Sequence, residues 1–87
     1  MPRFTKNQAL VDHIGARLKR ERDAQGLSQR ELARRVYGGL ADGTITKYEK
    51  GEHGPSIESL CLLALALGLE PADMLPTREE LQALFPS

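Results

Sequence analysis

Between Ala41 and Gly51 the chain reads ADGTITKYEKG, and its polar members are mostly hydroxyls and ammonium groups: Thr44, Thr46, Lys47 and Lys50. Gln29 adds a carboxamide just upstream, in GLSQRE. These groups donate hydrogen bonds and carry positive charge, which suits reversible binding of a polyanion. The side chains that could make or break bonds are placed differently. His13, His53 and Cys61 fall at no spacing that suggests a metal site or a catalytic triad, and no glycine-rich phosphate loop occurs. We therefore expect no catalytic residues, no metal, no cofactor and no enzymatic activity.

Charge distribution supports the same chemistry. The formal net charge is zero, but residues 1–50 hold 11 Lys and Arg against 6 Asp and Glu, while residues 51–87 hold 1 against 6. A basic half attracts phosphate whatever the total. At 87 residues the chain has room for one small core. Its longest apolar run, Leu60 to Leu69, is well short of the ~20 residues a membrane-spanning helix needs. No leader precedes it, so the expected setting is cytoplasmic, with no membrane partner. Cys61 is the sole cysteine, which leaves no partner for an internal disulfide; on a helix this apolar it is expected to be a buried, reduced thiol.

The elements that must position these groups are all helical. Pro2 to Asn7 carries Arg3 and Lys6 without apolar period and reads as a mobile arm. From Gln8, Leu10, Val11, Ile14 and Leu18 recur at helical spacing, and Gly26 ends that helix. Ser28 with Glu31 predicts a capping box opening a second helix, whose apolar stripe is Leu32, Ala33 and Val36. Gly38-Gly39 breaks the chain, and a third helix is expected from Ala41 or Asp42 to Lys50, with Ile45 and Tyr48 inward. Ser56 caps a fourth that stops at Gly68; a short fifth begins at Pro71; Thr77 and Glu80 cap a sixth carrying Leu81, Leu84 and Phe85. The fold class is all-α, a five- to six-helix bundle, divided as an arm at 1–8, a main domain at 9–76 and a C-terminal helix at 77–87.

The ordered set GLSQ, then Leu32-Ala33, then Ile45, Glu49 and Gly51, then Pro55-Ser56, resembles the helix-turn-helix domain of the Cro and phage-repressor type, the XRE family. The likeness covers about Ile14 to Leu75 and implies a lambda-repressor-like fold that binds double-stranded DNA. In that family helix three enters the major groove while helix two crosses the backbone. The resemblance gives Gln29 the role of bonding phosphate and bracing the recognition helix. It turns Asp42, Gly43, Thr46 and Lys47 toward bases, with Thr44 beside them, and brings Lys50 to phosphate. It also pairs Arg22 with Glu49 as a desolvated ion pair. Asp42 can accept from a cytosine amino group, although helix capping is its favoured role. With no arginine, asparagine or glutamine on this face, base reading is expected to be modest.

Three departures from the family pattern matter. Two extra residues lie between Ala33 and Ile45, near Tyr37, which is expected to pack over the turn. The loop after helix three carries Glu52 and His53 in place of basic residues. Helix four is apolar all round: Leu62, Leu65, Ala66 and Leu69 lie opposite Ile57, Leu60, Cys61 and Ala64. Such a helix is central or covered, so Leu62, Leu65, Leu69, Leu81, Leu84 and Phe85 form the expected packing or dimer face. The leading expectation is a homodimeric transcriptional repressor serving a phage, a mobile element, a restriction–modification circuit or a toxin–antitoxin pair. The competing one is a protein-interaction module, such as an antitoxin or adaptor contacting a toxin, that keeps the fold but reads little DNA.

Overall fold

The computed structural model describes residues 7–86, so residues 1–6 of the arm expected at 1–8 lie outside the described residues. Five α-helices and one 3-10 turn follow in order: α1 (Gln8–Ala24), α2 (Gln29–Arg35), α3 (Thr44–Lys50), α4 (Ile57–Leu67), the 3-10 turn Pro71–Met74, and α5 (Arg78–Leu84). No strand forms among the described residues.

The helix starts follow from side chains that satisfy orphan amides. Ser28 Oγ accepts from the Glu31 amide at 3.0 Å while Glu31 Oε1 accepts from the Ser28 amide at 2.8 Å. Thr77 and Glu80 repeat the arrangement at α5, at 3.1 and 2.8 Å. Ser56 caps α4 by accepting from the Ser59 amide at 3.1 Å. Two helix ends are closed from elsewhere in the chain. Gln8 Nε2 donates to the Gly51 carbonyl at 2.9 Å beyond α3, and Gln25 Nε2 donates to the Leu67 carbonyl at 2.7 Å at the end of α4. Carbonyls that the helical ladder leaves unpaired thereby tie α1 to both neighbours.

The core is formed by Leu18 and Leu27 from α1 and its following turn, Leu32, Ala33 and Val36 around α2, Ile45 and Tyr48 of α3, Leu60, Leu63, Ala64 and Leu67 of α4, and Met74. Leu18, Leu32, Leu63 and Met74 are fully enclosed. The most extensive helix contact is α1 on α3, and Gly15 makes it possible. A Cβ at Gly15 would run into the Tyr48 carbonyl oxygen and lie 3.3 Å from the Glu49 Cα. The backbone of the third helix thus rests on that of the first.

Several expectations are corrected here. Helix three begins at Thr44, two to three residues late. The buried face of α4 is Leu60, Leu63, Ala64 and Leu67, rotated from the expected set. Cys61 is therefore exposed, and Ile57 is 79% exposed. Leu62, Ala66 and Leu69 pack against the core rather than forming an outer face. When every position on a helix is apolar, periodicity does not choose which stripe turns inward. The C-terminal segment does not cover the outer stripe either: α5 packs against α1, and Leu65 stays 71% exposed. Tyr37 is 81% exposed and does not pack over the turn.

Candidate nucleic-acid interface

Two tight turns carry the chain from α2 to α3. The Gly39 amide returns to the Val36 carbonyl, and the Leu40 amide reaches the Ala33 carbonyl at 3.1 Å. Leu40 then packs against the core, and α2 and α3 remain in contact. In the second turn the Thr44 amide donates to the Ala41 carbonyl at 3.2 Å, with Gly43 at φ 83°, ψ −10°. Those angles belong to the third residue of a type II turn, where a side chain is strained and glycine is not. Gly43 occupies the cap position of α3, and no side chain caps this helix. Asp42 therefore does not cap it, contrary to its favoured role.

Behind the turn, one polar network joins three helices. Arg22 and Glu49 form a two-pronged ion pair, Nε to Oε2 at 2.7 Å and Nη2 to Oε1 at 3.0 Å, with side chains 10% and 5% exposed. Arg22 Nη1 also donates to the Leu27 carbonyl at 2.7 Å. Gln29 Nε2 donates to Glu49 Oε1 at 2.9 Å, and Thr46 Oγ1 donates to Gln29 Oε1 at 2.6 Å. The hydrogen bond to Glu49 raises the Arg22 pKa above its ordinary value, with the nearby carboxylate charges adding to it against the cost of burial. This network fixes the carboxamide of Gln29, because only its nitrogen can donate to a carboxylate. Among the described residues only one of its two N–H donors has a partner.

The residues expected to touch nucleic acid separate into three groups. Lys47 and Lys50 are exposed, and among the described residues no carboxylate lies within ion-pair distance of either. Asp42 and Gly43 are exposed on the linker, and Thr44 is half-buried. Thr46 and Gln29 are half-buried and bonded to each other. A shallow cleft between α2 and the start of α3 gathers Gln29, Arg30, Ala33, Asp42, Gly43, Ile45 and Thr46, while Lys47 lies outside its lining. Sequence reasoning missed Arg30, an exposed and unpaired cation on that cleft. The letters QREL and LARR do not show which arginine of α2 faces α3; that depends on how the helices cross. In the loop after α3, His53 packs edge-on against Tyr48 with ring centroids 5.6 Å apart.

The helix-turn-helix family profile matches residues 18–74, most of the chain, and the match spans α2, α3 and the network between them. The chain belongs to the Cro/C1-type helix-turn-helix family. It is 42% identical over 60 residues to the HTH-type transcriptional regulator y4dL of Sinorhizobium fredii, a stretch that is 69% of this chain and 30% of that protein. The chain thus spans under a third of the length of that curated relative. Among solved structures it resembles the restriction-modification controller protein C.AhdI from Aeromonas hydrophila, with a TM-score of 0.73 and 32% identity over 82% of this chain and all of that one. It also shares its fold with NHTF, a hypothetical transcription factor from Neisseria. There the TM-score is 0.73 at 22% identity, covering 98% of this chain and 95% of the other.

Proposed function

We propose that this helix-turn-helix chain is a DNA-binding transcriptional regulator that lays α3 in the major groove and works as a homodimeric repressor. The carrying observation is the way α3 is held. Its inner face is clamped to α1 through Gly15 and to α2 through the Arg22–Glu49–Gln29–Thr46 network, while Lys47 and Lys50 stand exposed and unpaired. A rigid helix with an uncommitted cationic edge suits groove insertion, where phosphate contacts position the protein and base contacts specify the site. Likeness to a restriction-modification controller protein favours a regulatory circuit of that kind.

Gel shifts with the duplex upstream of the chain's own gene test this reading. Binding should be specific and salt-sensitive, and should be lost on combining Gln29→Ala with Lys47→Ala. Affinity indifferent to salt would count against it. The stripe Ile57, Cys61 and Leu65 on the outside of α4 gives some support to the alternative, a protein-interaction module. Absence of any enriched sequence from a random duplex pool would favour that alternative.

A further inference from the structure

The cleft between α2 and α3 carries few hydrogen-bonding groups that are not already spoken for. Gly43 has no side chain, and the Thr46 hydroxyl proton is given to Gln29, whose carboxamide is committed on both its oxygen and one N–H. Ala33 and Ile45 are apolar walls. What remains is the acceptor side of the Thr46 hydroxyl, the single spare N–H of Gln29 and two whole side chains of opposite charge, Arg30 and Asp42. Both are exposed and both line the cleft. They do not form an ion pair, and Asp42 has no structural duty: it neither caps α3 nor bonds another side chain among the described residues.

Among the described residues, Asp42 is the only acidic side chain lining this cleft. On a surface meant for phosphate, an idle carboxylate lowers affinity for every sequence alike. It contributes only if something in the groove donates to it. Among major-groove edges, a carboxylate finds its donor in the amino group of cytosine N4, while arginine suits the O6 and N7 acceptors of guanine. We infer that Asp42 is the specificity-determining residue of this protein, accepting from the N4 amino group of a cytosine while Arg30 holds the neighbouring acceptor across the cleft. This inference rests on the proposed insertion of α3 in the major groove. It moves the main site of base discrimination from the helix itself to the linker before it. The turn supports that role. The Thr44-to-Ala41 hydrogen bond and the backbone of Gly43 hold Asp42 at the cleft without drawing on its side chain.

The test is selection from a random duplex pool with the wild-type chain, Asp42→Asn and Asp42→Ala, followed by titration of the enriched duplex and of duplexes changed at each position. The wild type should enrich a cytosine at one fixed position of each half-site. Replacing that cytosine should weaken wild-type binding by about 10-fold, within the usual range for one good base contact. In Asp42→Ala, which removes the acceptor, the same replacement should matter by less than about 2-fold, and in both variants binding to unrelated duplex should strengthen as the repulsive charge is removed. Thermal melting of each variant should match the wild type, since Asp42 is exposed and unbonded. An Asp42→Ala variant that enriches the same cytosine as the wild type would overturn the role of Asp42 and leave the regulator reading standing. A wild-type chain that enriches no sequence would overturn both.

Discussion

At the scale of single residues, Gly15 and the Arg22–Glu49 pair make the sharpest demands. Replacing Gly15 by alanine raises intrinsic helix propensity by about 1 kcal/mol. It also drives a methyl group into the Tyr48 carbonyl, and the obstacle is the backbone of α3, which has little freedom to yield. We expect a net loss of about 3 kcal/mol, at the upper end of overpacking costs, measured by chemical denaturation. Only Gly15→Ala melting at or above the wild-type temperature would contradict this close approach. The ion pair behaves differently. Arg22→Ala or Glu49→Ala alone should each cost about 3–5 kcal/mol, because the remaining charge is left buried without its partner. Removing both should cost much less than the sum, and an apolar pair such as Arg22→Met with Glu49→Leu should come close to the wild type. Additive losses would show that the two charges are solvated independently.

At the scale of elements, capping was the most legible signal. Ser28 with Glu31, Ser56, and Thr77 with Glu80 each announced a helix start that the structure contains. The reason is local: a cap is a hydrogen bond within four residues and needs no tertiary partner. What could not be read depends on partners far along the chain. The start of α3 slipped because a glycine turn, rather than Asp42, precedes Thr44. The buried stripe of α4 was misplaced because an apolar residue at every position leaves the choice to the neighbours. Of the candidate interface, the ion pair and the exposed lysines were legible. The Thr46–Gln29 bond and Arg30 were not, since both depend on how α2 crosses α3. The capping boxes also set an acid limit. Backbone hydrogen bonds hold Glu31 and Glu80 below the ordinary carboxylate value of 4.5, the first through Ser28 and the second through Thr77. A carboxylate depressed in the folded state stabilises it fully above the unfolded pKa and loses that contribution as pH falls through the lower, folded one. Helix content should therefore decline below about pH 4.5. Glu80→Gln should weaken the acid dependence of α5 in particular, followed by amide exchange at Leu81 and Leu84. Unchanged exchange at these amides across that range would remove the Glu80 cap from the account.

For the whole molecule, the remaining question is what meets the outer stripe of α4. Ile57 and Leu65 are exposed large apolar side chains at helical spacing, and Cys61 lies between them on the same face. A contiguous apolar stripe left in water is a liability that an interface removes, and under the proposed homodimer a second copy of the chain would be its occupant. A two-fold dimer would place its paired α3 helices to read half-sites about one helical turn apart, near 10 base pairs centre to centre. Leu65→Glu tests this. The side chain is 71% exposed, so the charge should cost the isolated fold little. Across a symmetric interface it sets two carboxylates and their hydration shells against each other. Light scattering should find the wild type at twice the monomer mass and Leu65→Glu at the monomer mass, with melting of the monomer nearly unchanged. Binding to a palindromic duplex should weaken more than binding to a single half-site, because the monomer keeps its α3 contacts and loses only the second reading. The salt slope should then fall with the number of phosphates one subunit touches, about 0.9 per phosphate lost. If Leu65→Glu stayed dimeric and bound the palindrome as the wild type does, α4 would not be the interface, and the exposed edge of α5 at Leu81 and Phe85 would be the next surface to charge.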